Sequence, residues 1–262
     1  MREVFTMWRY TKMVVLAAVT AAVYAAVLIP FKGFPIIPGF TEIRPATAIP
    51  IVFGLLFGPA AAWGAAIGNL IGDFFGTLSL GSIFGFWGNF FMAFVAYKVW
   101  GKMGPFSSRK EPCIRTGRQL GEYLLICLLA SMVCATIIAW GLEVLQMLPF
   151  AILGGIILVN NFIVMAVLGP FLLLLLYPRA EKWNLLWTEI MEERDRPRGI
   201  SPGLGAGLVW IGGLGGLIAG LLCSTGFYGA VLFKFGMGSV GPGVILAVSP
   251  FLLIFLLGCL LL

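Results

Sequence analysis

The stretch Glu42-Ile-Arg-Pro-Ala-Thr-Ala-Ile-Pro-Ile-Val-Phe-Gly-Leu-Leu-Phe-Gly-Pro59 runs on through Gly64, Gly68 and Gly72 to Asp73-Phe-Phe-Gly76, and its reading decides the fold. Residues 45–57 form an apolar run that ends at a tight Gly58-Pro59 break. A second run, residues 60–76, carries glycines every four positions, all on one helical face. Small residues at that spacing let two helix backbones approach closely inside a membrane. The first run is short of the roughly 20 residues a span needs, so it must be tilted, broken or shielded by protein.

Outward from this stretch the whole chain has the same character. Of its 262 residues 60% are hydrophobic and 11% charged, with a mean hydropathy of +1.03. Soluble domains carry about 25% charge, and a core of this size cannot hide such an apolar excess. The predicted class is therefore an all-α polytopic membrane protein. Eight spans are expected: about residues 13–29, 45–57, 60–76, 81–100, 119–142, 147–176, 203–223 and 241–262. The first is read as an uncleaved span rather than a secretory signal, because more spans follow.

Charge tests the span count. Eight spans place both termini on one side. Arg2, Arg9 and Lys12, the loop after span four and the segment after span six then share that side, with fourteen of the seventeen lysines and arginines. Only Lys32, Arg44 and Lys234 fall on the other. The basic side is cytoplasmic by the positive-inside rule. A multi-pass protein of the cell membrane is predicted, with both termini cytoplasmic. Its net charge of +6 reflects orientation in a lipid bilayer, not binding of nucleic acid. Residues 179–200 mix both signs and are expected to be a solvated linker between a unit at 1–178 and a two-span extension at 201–262.

The chemistry classes narrow by absence. There is no histidine, which removes imidazole metal ligands and histidine acid–base work. Five cysteines form no CxxC pair, and no HExxH, GxSxG or Walker loop occurs. Gly236, Gly238 and Gly241 match GxGxxG without a βαβ context, which discounts them. No catalytic residue, metal ligand or cofactor is expected.

Polar residues inside spans are costly and face a bundle interior or cavity. Asn69 and Asp73 share a face of span three. Asn89 lies on span four with Phe84 and Trp87 nearer its outer end; Trp140, Glu143 and Gln146 mark the outer end of span five; Asn160 and Asn161 sit in span six. These groups cluster in the outer half, under the loop that holds Lys32, Glu42 and Arg44, as a small-ligand pocket requires. Each of them alone serves equally well in interhelical hydrogen bonding, and the tryptophans in an interfacial belt. Arg44 and Asp73, both near the outer face, are expected to pair. In span one, Ala17, Ala21 and Ala25 form a small-residue ladder, with Ala18, Ala22 and Ala26 alongside.

The stretch from Glu42 to Gly76 resembles the substrate-binding S components of energy-coupling factor (ECF) transporters. These show an arginine before the second span, a Phe-Gly-Pro turn, and glycines leading to an acidic residue. The resemblance covers residues 11–178 and implies a six-helix S-component bundle, with two additional C-terminal spans as a departure. It implies capture of a vitamin or similar micronutrient from outside, under residues 30–44 as a lid. Delivery inward would follow with a T component and ATPase subunits. It assigns Ala17, Ala21 and Ala25 to T-component docking. Lack of histidine argues against the histidine-ligated nickel and cobalt systems. The rival readings are a stand-alone secondary transporter or channel using Asp73, and a structural membrane subunit that binds nothing.

Overall fold

The computed structural model describes residues 1–108, 111–197, 199–225 and 243–262. Arg109, Lys110, Arg198, Lys234 and the glycines at 236, 238 and 241 lie outside them.

All the long elements are helices, and the glycine ladder explains how the first of them pack. The opening segment is a short helix α1 (Glu3–Thr6). It leads to α2 (Thr11–Phe31), then to α3 (Ala48–Phe57) and α4 (Pro59–Asp73). Gly64, Gly68 and Gly72 of α4 press on α2: a Cβ on Gly68 would lie 2.8 Å from the Ala21 carbonyl oxygen, and one on Gly64 2.7 Å from that of Ala17. Only glycine permits this approach, which brings backbone against side chain over three turns.

Helix α3 has ten residues and is about 15 Å long, half the hydrocarbon thickness. Every one of its residues is buried, so surrounding protein shields it. Between α3 and α4, Gly58 adopts φ +54°, and its missing side chain makes room for the Trp187 ring 2.6 Å from where a Cβ would be.

The bundle continues with α5 (Ser82–Val99), α6 (Gly117–Val144) and α7 (Phe150–Lys182). A capping box of Thr116 and Gln119 starts α6. Helix α7 runs for 33 residues, about 50 Å, and so extends past the expected end at residue 176. After the short α8 (Trp187–Ile190), α9 (Pro202–Ser224) and α10 (Gly243–Leu261) form a hairpin. Its glycines dock it on the six-helix unit: Gly213 against Val133 and Leu129 of α6, Gly216 against Thr136, and Gly220 against Phe150 of α7. Phe255 of α10 meets Phe91 of α5 edge-on at 5.0 Å. Eight helices thus stand where eight spans are expected. Among the described residues, five helical segments are long and apolar enough by length and composition to cross a membrane.

The basic segments gather at one end. Tyr10 donates a hydrogen bond to Asp195 (2.8 Å), and Lys102 donates to the main-chain oxygen of Leu262 (3.3 Å). Lys98, inside the fourth expected span, is the penultimate residue of α5 and is buried in an ion pair with Glu3 at 2.9 Å. The segment after α7 is also not a solvated linker throughout. Trp187 meets Tyr97 edge-on at 5.4 Å, Leu186 and Met191 are buried, and residues 183–197 lie as a strap across the bundle end.

Candidate functional site

The opposite end carries a small antiparallel hairpin, β1 (Pro35–Ile37) with β2 (Thr41–Glu42), turned at Pro38-Gly39 with Gly39 at φ +79°. Arg44 follows it after one intervening residue, just before a 3₁₀ turn that opens with Pro45. Thr47 donates its hydroxyl to the Arg44 carbonyl at 2.9 Å and fixes that turn. The hairpin therefore aims Glu42 and Arg44 into the bundle. Asn160 of α7 holds it there by donating to the Glu42 carbonyl at 2.9 Å.

Beneath the hairpin the charges close on one another. The Arg44 guanidinium donates to Asn69 Oδ1, and its Nε lies 3.3 Å from Glu42 Oε1. Asn69 Nδ2 donates to Asp73 Oδ2 at 3.2 Å, as the i, i+4 spacing on α4 allows. Lys32 enters from the loop after α2. Its ammonium lies 3.3 Å from Glu42 and 3.5 Å from Asp73, and it donates to Thr77 at 2.6 Å. Two cations and two carboxylates thus meet in one buried cluster. Such charges are tolerated in low dielectric only because each has a partner. Gly85 of α5 leaves room for the Asn69 amide, 2.9 Å from where a Cβ would sit. The remaining cavity is about 50 Å³, floored by Ile138, Leu142, Leu153 and Ile157.

Arg44 and Asp73 stand together but do not form the expected direct pair. Asn69 bridges them, and Lys32 is the cation that pairs with Asp73, because it sits at the end of α2, which packs along α4 up to Gly72. Asn89 points elsewhere: it accepts from the Tyr24 hydroxyl at 2.7 Å and donates to the Gly85 carbonyl, tying α5 to α2. Asn161 lies deeper, with its amide toward Met92 and Cys134 sulfurs. Phe84 and Trp140 pack edge-on at 5.8 Å. Glu143 accepts from the Phe150 N–H and so caps the N-terminus of α7. Trp87 faces outward, 41% exposed, in an aromatic group with Trp63, Phe86 and Phe90.

The ladder Ala17, Ala21 and Ala25 is turned inward, which corrects the expectation of an outward docking face. All three are buried, the first two against the α4 glycines. The small residues on the open side of α2 are Ala18, Ala22 and Ala26, beside exposed Val15, Val19 and Val23.

The cluster offers a mixed set of fixed donors and acceptors in a narrow polar slot. That suits recognition of a small molecule with several hydrogen-bonding edges. Among the described residues, no group of three or more histidine, cysteine, aspartate or glutamate side chains is placed to hold a metal ion.

Lys32 and Asn69 stood among the groups expected to be able to serve a ligand, and Glu42 in the loop above them. Thr77 and Tyr24 carried no sequence signal beyond their polarity in an apolar context.

Neither a curated protein nor a solved structure matches the chain. A family model described as QueT transporter matches residues 14–178, which spans α2 to α7 and so the whole of the hairpin-covered cluster. The chain is a membrane transport protein and not an enzyme: it belongs to the QueT transporter family, S components of ECF transporters.

Proposed function

We propose that this S component captures a queuosine precursor, the cargo class associated with its family, in the cluster of Lys32, Glu42, Arg44, Asn69 and Asp73. The observation that carries this reading is the closed set of two cations, two carboxylates and a carboxamide under a hairpin lid. A planar heterocycle carries donors and acceptors along its edges. The carboxylates would accept from its N–H groups, and the guanidinium and carboxamide would donate to its acceptors. In the present arrangement these groups satisfy one another, and the cavity of about 50 Å³ is far below the roughly 300–1,000 Å³ of ligand sites. Capture therefore requires the hairpin to lift and Lys32 to swing aside. Binding exchanges internal hydrogen bonds for ligand ones.

The hairpin end faces outside and the basic end faces the cytoplasm. Residues 14–178 carry capture. A T component and ATPases supply the energy, with the outward face of α2 at Ala18, Ala22 and Ala26 as the docking strip. Thermal unfolding of the purified protein across queuosine precursors and unrelated vitamins tests the reading. A precursor should raise the melting temperature, as any ligand of the folded state does, and the response should vanish in Asp73→Asn. A flat response to every precursor would refute it.

A further inference from the structure

At the basic end of the bundle a groove of about 520 Å³ opens between the loop after α5 and the first turns of α9. Its walls are Met103, Pro105, Phe106, Leu125, Ala206 and Trp210, nearly all apolar. Gly203 and Gly207, one turn apart on α9, form its floor, and a Cβ on either would meet nothing within 4 Å among the described residues. Elsewhere the α9 glycines are filled by neighbours: Gly212 by Phe255, Gly215 by Phe251 and Gly220 by Phe150. At this end Gly205 packs on Gly258 and Leu262, while Gly203 and Gly207 are left uncovered by the described residues. The floor begins at the second residue of α9 and Trp210 is seven residues on, so the groove descends only about 10 Å into the membrane. That is interfacial depth, where lipid and not water covers apolar surface.

The mouth of the groove is positive. Lys102 lines it, donates only to the Leu262 main-chain oxygen, and has no aspartate or glutamate side chain within 4 Å among the described residues. Arg118 donates to the Pro105 carbonyl at 2.8 Å, which sets a second cation on the rim. The neighbouring Lys98 is different, since Glu3 neutralises it. An apolar slot with two cations at its entrance, neither within 4 Å of an aspartate or glutamate side chain among the described residues, has the complementarity of an anionic phospholipid. Basic pockets between helices on the cytoplasmic side bind such headgroups. A zwitterionic lipid would bring its own cation to the same place.

We infer that this groove binds one anionic phospholipid of the inner leaflet, an acyl chain lying over Gly203 and Gly207 and the phosphate held by Lys102 and Arg118. The leaflet follows from the orientation proposed above; the groove is separate from the hairpin-covered cluster.

The test uses the purified full chain in neutral detergent, titrated with phosphatidylglycerol or phosphatidylcholine of identical acyl chains and read by native mass spectrometry. Phosphatidylglycerol should bind at least tenfold more tightly. Gly207→Leu places a side chain in space free of protein atoms, and should weaken phosphatidylglycerol at least tenfold with the melting temperature within a few degrees of wild type. If that variant melts early, Gly203→Leu on the same open floor replaces it. Lys102→Gln with Arg118→Gln should bring phosphatidylglycerol down to the phosphatidylcholine level. Equal affinity for the two lipids in the wild type, undiminished binding in the floor variant, or a preference that survives loss of both cations would each overturn the assignment. Stabilisation by a queuosine precursor, measured on the same samples, reports the outer cluster independently.

Discussion

Replacing Arg44 and Glu42 by methionine, singly and together, tests whether the outer cluster is one coupled unit. Their charges lie 3.3 Å apart with side chains 10% and 3% exposed. At an effective dielectric of about 20 that separation corresponds to about 5 kcal/mol of attraction. Removing one partner of a buried pair costs about 3–5 kcal/mol, because the survivor stays buried without its counter-charge. Here the lower end applies: Glu42 keeps Lys32 at 3.3 Å, and Arg44 keeps Asn69. Each single variant should therefore lose about 3 kcal/mol, or roughly 6–12 °C at 2–4 °C per kcal/mol. The double variant restores charge balance, since Lys32 and Asp73 remain as a pair. Its loss should fall short of the sum of the singles by about 1–3 kcal/mol, the coupling expected of contacting charges. The assay is thermal unfolding in detergent without ligand. Additivity within about 0.5 kcal/mol would refute the reasoning, because it would mean the two charges do not sense each other.

Gly68→Ala should cost about 1–3 kcal/mol by forcing α2 from α4, its Cβ meeting the Ala21 backbone at 2.8 and 3.1 Å. Gly121→Ala, whose Cβ would meet nothing within 4 Å among the described residues, should melt within about 0.5 kcal/mol of wild type. In cells holding the complete transporter, Ala22→Trp should reduce uptake while the purified chain keeps its ligand response, whereas Ala21→Trp should lower the melting temperature itself. Burial, and then the nearby Lys98, bring Lys102 down to about 8 from its usual 10.5. The unfolded chain then binds the extra proton between these values, so stability should rise as pH climbs from about 8 toward 10.5. Comparing melting curves of wild type and Lys102→Met in neutral detergent over that range checks the sign, since the variant lacks this increment.

The long-range architecture was legible because it rests on counts and periods. Apolar runs set eight helices, and the distribution of lysine and arginine demanded that the basic segments share an end, as Tyr10 with Asp195 and Lys102 with Leu262 do. What periodicity cannot do is choose between adjacent ladders. Ala17/Ala21/Ala25 and Ala18/Ala22/Ala26 differ by one residue, about 100° around α2, and only the position of the α4 glycines decides which set turns inward. Polarity likewise marked Asn89 without revealing that the Tyr24 hydroxyl claims it. Pro38-Gly39 carried a turn signal, and the β-hairpin went unread because its strands have only three and two residues. Residues 183–197 read as solvated because their charges dominate composition; the anchoring falls on Leu186, Trp187 and Met191, apolar positions interspersed among those charges.

The α9–α10 hairpin, docked by glycine on α6 and α7 and by Phe255 on α5, changes how this molecule can meet others. A bare six-helix unit offers neighbours its full perimeter in the plane of the bilayer. This one arrives with part of that perimeter already occupied by its own chain, while α2 keeps an open strip of alanine and valine. Lateral assembly is thereby given a direction. Copies drifting in the membrane cannot associate through the α6 surface that the hairpin covers, and a partner that recognises flat, small-residue helix faces finds one on α2. The two extra helices thus close the α6 side and leave the Ala18, Ala22 and Ala26 side of α2 open.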